Sequence, residues 1–253
     1  MRSLADASPW LIAGCALGLF GGGLVKGAIG IGLPLVAAPA LATLLGVKQA
    51  VAVLSLPVLI ANIWQAWHGG HHAEVLRRFW PLIVALALGV AASTRLLAKL
   101  DADLLFLVLG AVVIVYPLTV LMRFELRVDA RNERWAAPCA GLVAGLLSGI
   151  AYFFGPPLAI YFSALKLGKN LFVAAIALIG LIAASLTAIM LASHAVLDKR
   201  ALVMSLLAVI PTLAGTFVGT WIRGRIDEAL FHRIVAIALL VIGANLVRKA
   251  LVA

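Results

Sequence analysis

The stretch Gly27-Ala28-Ile29-Gly30-Ile31-Gly32-Leu33-Pro34-Leu35 interrupts an otherwise apolar run, and Gly155-Pro156-Pro157 interrupts another 123 residues further on. Neither reads as plain helix. Proline lacks an amide proton and clashes with the preceding turn, and glycine in a helix costs about 0.5–1 kcal/mol relative to alanine. Within hydrocarbon each freed backbone group costs several kcal/mol, so irregular backbone survives there only against protein or a watery cavity. Paired Gly/Pro breaks at matching places in two halves of a chain point to the binding site of a secondary transporter.

The surroundings of both breaks place them in a membrane. The chain has 253 residues, 64% apolar and 12% charged, with a mean hydropathy of +1.15. A soluble domain carries about 25% charged residues, so a soluble globule, a disordered chain and a disulfide scaffold are excluded. Long continuous apolar runs replace the apolar/polar alternation of a transmembrane β-barrel. The expectation is an all-α, polytopic helical membrane protein. A span needs about 20 apolar residues. Full spans are expected at 10–25, 49–67, 79–98, 104–122, 135–151, 170–193, 201–221 and 230–251, with shorter irregular or re-entrant pieces at 28–46 and 152–167. The apolar run from Pro9 continues through Gly46, so it reads as a first span rather than a cleaved signal peptide.

Net charge is +10. The basic residues sit in short gaps between apolar runs, where loops meet anionic headgroups. Lipid, not nucleic acid, is the expected partner, beside a small anionic substrate. The most polar gap, Arg123–Arg134, joins two halves and is the best cytoplasmic segment by the positive-inside rule, in a cell (inner) membrane.

Shifting the chain by 123 residues lays Gly18 on Gly141, Gly22 on Gly145, Gly32 on Gly155 and Pro34 on Pro157. A shift of 126 then lays Gly89 on Gly215 and Asp101 on Asp227. The expected organisation is a first repeat at 1–122, a connecting loop at 123–134 and a second repeat at 135–253. Each repeat has four to five membrane segments, and the two are inverted. The oligomeric state is open, a homodimer included.

Helix N-termini restarting after the breaks offer amides and a positive dipole end to an anion. Candidate site residues are therefore Gly30, Gly32, Pro34, Gly155, Pro156 and Pro157. Lys26, the one formal charge between Asp6 and Lys48, is a candidate counter-ion, with snorkelling to the interface as the alternative. Asn62 and Gln65 share a helix face at i, i+3 and read either as cavity lining or as interhelical hydrogen-bonding groups. Tyr152 is a candidate donor to an oxyanion. Trp64 and Trp67 read as an aromatic belt. His68-Gly69-Gly70-His71-His72 lacks the pattern of a metal site and reads as an interfacial loop. No metal, cofactor or catalytic residue is expected. Cys15 and Cys139 read as small buried residues.

In Gly18-x3-Gly22-x7-Gly30-Ile31-Gly32-Leu33-Pro34-Leu35, followed by Gly46 and Ala50–Ala52, and again in Gly141-x3-Gly145-x3-Gly149 with Gly155-Pro156-Pro157, the chain resembles the sulfite exporter TauE/SafE family of membrane permeases. The glycine run is thinner than the family's, and Phe153-Phe154 stand before Gly155. The resemblance implies transport of small sulfur-containing anions such as sulfite or organosulfonates, by a permease rather than an enzyme. Two rival readings remain. One is an anion channel, with a continuous pore. The other is a non-transport membrane protein, such as an intramembrane serine protease using Ser148 with His194 or His232, which needs a triad geometry.

Overall fold

The computed structural model describes residues 8–121, 128–129, 132–223, 225 and 228–252. Among the described residues ten helices follow one another: α1 (Pro9–Ile29), α2 (Leu33–Leu45), α3 (Val47–Gly69), α4 (His72–Lys99), α5 (Ala102–Leu121), α6 (Glu133–Ala151), α7 (Gly155–Ala164), α8 (Lys169–Ser193), α9 (Lys199–Ile222) and α10 (Glu228–Val252). The eight long helices match the eight expected spans, and α2 and α7 are the two short pieces. Six of the long ones are long and apolar enough to cross a membrane, by length and composition of their described residues. The protein is a helical membrane protein. Outward-facing Ile210, Phe217 and Val241 are all more than 60% exposed, a surface that suits lipid and not water.

Local chemistry sets the helix ends. Ser8 caps α1 by accepting from the Leu11 amide at 3.3 Å, with Pro9 in the first turn. Asp198 does the same for α9, accepting from the Ala201 amide at 2.7 Å. The 13 residues of α2 and 10 of α7 span about 20 and 15 Å, short of the roughly 30 Å hydrocarbon layer.

Glycines decide which helices lie against each other. A Cβ on Gly23 or Gly27 of α1 would overlap the Thr212 or Thr216 carbonyl of α9, and one on Gly215 or Gly219 of α9 would overlap the Phe20 or Leu24 carbonyl of α1. The α4–α6 seam has the same build: Gly141 and Gly145 lie on the Leu82 and Leu86 carbonyls. The residue order shows that both pairs run parallel. Small residues permit this backbone approach, which supplies the van der Waals contact that holds helices together in lipid. By contrast, α2 folds back along α1, since Gly22 faces Ala37, Gly18 faces Ala40 and Gly14 faces Leu44. Helices α5 and α10 also pair, as do α3 and α8 at the centre. Helices of residues 1–122 thus pack chiefly on helices of residues 135–253.

One matched pair of glycines does two different jobs. Gly22 lies against α2, 2.6 Å from the Leu33 carbonyl oxygen as measured from an added Cβ, whereas Gly145 lies against α4. Gly23, one residue on, lies on a carbonyl of α9 much as Gly145 lies on one of α4.

Most of the Arg-rich connection (Arg123, Glu125, Arg127 and Arg131) lies outside the described residues, as does Asp227. At its end, Glu133 accepts two hydrogen bonds from Arg78 of α4, at 3.0 and 3.1 Å. Arg134 stacks over the Trp135 ring at 5.6 Å.

Candidate functional site

The first break forms where α1 ends. Gly30 (φ +92°) donates its amide to the Lys26 carbonyl at 2.7 Å, and Gly32 (φ +114°) caps α2. Both backbones are left-handed, which costs a residue with a Cβ about 1–2 kcal/mol. Pro34 then falls in the first turn of α2, where a missing amide loses nothing.

The second break uses a tyrosine. Tyr152 is left-handed at φ +59°, donating its amide to the Ser148 carbonyl at 2.7 Å, while the Phe153 amide reaches the Leu147 carbonyl at 3.2 Å. These bonds close the end of α6 as a left-handed cap does. Helix α7 restarts at Gly155 itself, capped by Phe154, with Pro156 next in its first turn.

The two breaks meet. A Cβ on Gly155 would lie 2.8 Å from Cγ2 of Ile31. Around this contact lies a cleft of about 20 Å³ lined by Lys26, Gly30, Ile31, Gly32, Pro34, Asn62, Gln65, Tyr152, Gly155 and Pro156, with Leu33, Leu35, Val58, Phe153, Phe154 and Ile176. That volume admits one or two water molecules. Nine of the ten sequence-designated site residues line it. Pro157 does not: it is half-buried and lies outside the lining, because the helix has by then turned it away.

Lys26 does not snorkel. Its ammonium donates to Gln65 Oε1 at 3.0 Å and Asn62 Oδ1 at 3.3 Å. Gln65 Nε2 donates to the Gly30 carbonyl at 3.1 Å, so one side chain ties the lysine to the break. Asn62 Nδ2 donates to the Val58 carbonyl at 2.7 Å within α3. The two amide side chains therefore combine both roles that the sequence allowed them. Among the described residues, no carboxylate lines the cleft.

Tyr152 lines the cleft, but its hydroxyl donates to Ser55 Oγ at 3.0 Å. Its proton serves α3, not the cleft. Gln65 and Ser55 are ten residues apart on α3, so one helix holds both breaks through its side chains.

The amide supply is unequal. Among the first three residues of α2, Leu33 and Leu35 carry amides; among those of α7, only Gly155 does, because Pro156 and Pro157 carry none. First-turn amides have no intrahelical acceptor. Positive potential in the cleft thus comes from Lys26 and α2 more than from α7.

Several partners were not evident in the sequence. Arg223, after α9, donates Nε to the Ala28 carbonyl at 2.9 Å, and its Nη2 lies 3.8 Å from a Cβ placed on Gly30. It is a second cation beside the first break, and from the sequence it reads only as a loop charge. Ser148 bonds Thr187 at 2.8 Å, both fully buried, while His194 bonds the neighbouring Ser193 at 2.9 Å. The side chain of His232 lies outside the described residues. In the histidine-rich turn, His71 meets Glu74 at 3.2 Å and His72 meets the Ala66 carbonyl at 2.8 Å. Among the described residues, no three His, Cys, Asp or Glu side chains come together. Trp64 and Trp67 face outward.

No curated protein and no solved structure matches the chain. A family model described as Sulfite exporter TauE/SafE matches residues 15–246. That match runs through both breaks, the cleft they form and all four principal helix pairs, and the chain belongs to the sulfite exporter TauE/SafE family.

Proposed function

We propose that the protein is a secondary transporter of small sulfur-containing anions in the cell membrane, working by alternating access around the cleft between two inverted repeats. The observation that carries this reading is the convergence of both Gly/Pro breaks on one cleft that also holds the Lys26 ammonium. A desolvated anion needs donors and positive charge. Here a lysine, two side-chain amides and the open end of α2 face one point.

The packing pattern supports the repeat. Exchanging α1–α5 with α6–α10 turns the α1–α9 pair into the α6–α4 pair, and leaves α3–α8 and α5–α10 unchanged. Helix α3 returns to the level of Gly30 through the Gln65 bond, and α4 reverses it. Because α6 runs parallel to α4, it runs opposite to α1. Opposed directions are what an inverted duplication requires.

The cleft holds little more than a water, so sulfite enters when Ile31 and Gly155 part. These residues belong to different repeats, and rocking one repeat against the other moves that contact. With no carboxylate among the described residues facing the cleft, the drive is the anion gradient or the membrane potential, worth about 2.3 kcal/mol per charge per 100 mV.

The test is counterflow of labelled sulfite in proteoliposomes. Saturable uptake accelerated by internal sulfite is the expected result. The double substitution Gly32→Leu with Gly155→Leu should abolish it, since one puts a side chain on a left-handed backbone and the other drives a side chain into Ile31. Unsaturated flux without counterflow, or normal flux in the double variant, would overturn the reading.

A further inference from the structure

A second cavity lies directly beside the cleft. It holds about 150 Å³, against about 20 Å³ in the cleft, and every side chain lining it is apolar. Ile31, Leu35 and Pro156 line both spaces, so the polar and the apolar compartment adjoin at these three side chains. Away from the cleft it is lined by Pro117 of α5 and by Ala236 and Leu239 of α10.

A site built for a bare inorganic oxyanion has no use for such a chamber. An apolar cavity of this size stays dry and takes a benzene-sized guest. Its position next to the Lys26 ammonium suits a molecule with a charged head and a short apolar tail. We propose that the transported anion is an organosulfonate with an apolar group of about four to six carbons, its head in the cleft and its tail in this cavity. The proposal rests on the cleft being an anion site. It adds that selectivity is set by the tail, and that the anion class is amphiphilic.

The experiment measures binding of sulfite and of linear alkanesulfonates with one to six carbons to the full chain in detergent-free lipid nanodiscs. Alkanols of equal length serve as headless controls. Each added methylene is expected to tighten binding about fourfold, the gain for burying one methylene, until the cavity is full. Ala236→Phe, which fills the cavity, is expected to flatten that slope, as is the independent Ala159→Leu. A flat or falling series in the unaltered chain overturns the proposal; this is also the outcome if a membrane acyl chain holds the cavity. So does a slope matched by the alkanols, or one that neither filling substitution changes. If sulfite binds and the series is flat, only the tail assignment fails. If neither sulfite nor any sulfonate binds, the anion site fails with it.

Discussion

Lys26→Met is expected to lower anion flux about a hundredfold or more while costing the fold little. Methionine keeps an unbranched apolar stem, so the packing along α1 survives. What disappears is the ammonium that donates to Gln65 and Asn62 at 3.0 and 3.3 Å. Losing one partner of a desolvated charge pair costs about 2–5 kcal/mol, which corresponds to a factor of about thirty to several thousand. The two amide oxygens left behind lose about 1 kcal/mol each in hydrogen bonding, and water in the cleft offsets part of that. Flux in proteoliposomes and thermal stability in detergent, measured side by side, separate the two roles. A lysine that only props the break would lose stability and flux together. Near-normal flux in the methionine variant would remove Lys26 from the transport path.

The second large effect lies in the seams. Gly219→Ala on α9 and Gly145→Ala on α6 each add a methyl group that overlaps a carbonyl oxygen of the facing helix, that of Leu24 and that of Leu86. Backbone cannot move aside as a side-chain tip can, so the helices must separate. Overpacking of ordinary side chains costs about 1–3 kcal/mol and at times more; with backbone on the other side, about 3 kcal/mol or more is expected for each. The measurement is the fraction of protein that stays monodisperse after extraction, with the melting temperature of what remains. Gly168→Ala is the contrast: nothing lies within 4 Å of the added methyl and φ is −57°, so it should change stability by less than about 1 kcal/mol. Equal stability of all three variants would mean that the seams are looser than their geometry. The seams also serve the site. Gly27 locks α1 onto α9, and the preceding residue, Lys26, is thereby turned toward α3.

The rules behind the breaks act over very short distances, and so the breaks were legible. Gly30, Gly32 and Pro34 forbid regular helix by their own covalent structure, whatever surrounds them. The span count followed from apolar length alone. Helices that are apolar on every side carry no periodic stripe to say which face meets which neighbour, so partners stayed hidden. Nothing in Asn62 or Gln65 says that a lysine 36 or 39 residues earlier will be their acceptor-seeking partner. The direction of the Tyr152 hydroxyl depended on Ser55, 97 residues earlier. Arg223 reads as one loop charge among several until α9 lays it beside Ala28.

By itself, then, the amino-acid order determined that this chain is helical, crosses a lipid bilayer, and twice breaks its backbone where Gly and Pro leave it no choice, because those outcomes depend on residue chemistry within a turn or two. Tertiary structure alone decided that the two breaks touch through Ile31 and Gly155, that Lys26 points inward, and that an apolar chamber adjoins the polar cleft. The first and last of these join segments more than a hundred residues apart, and the partners of Lys26 stand 36 and 39 residues away; only the close approach of glycine-faced helices brings them together.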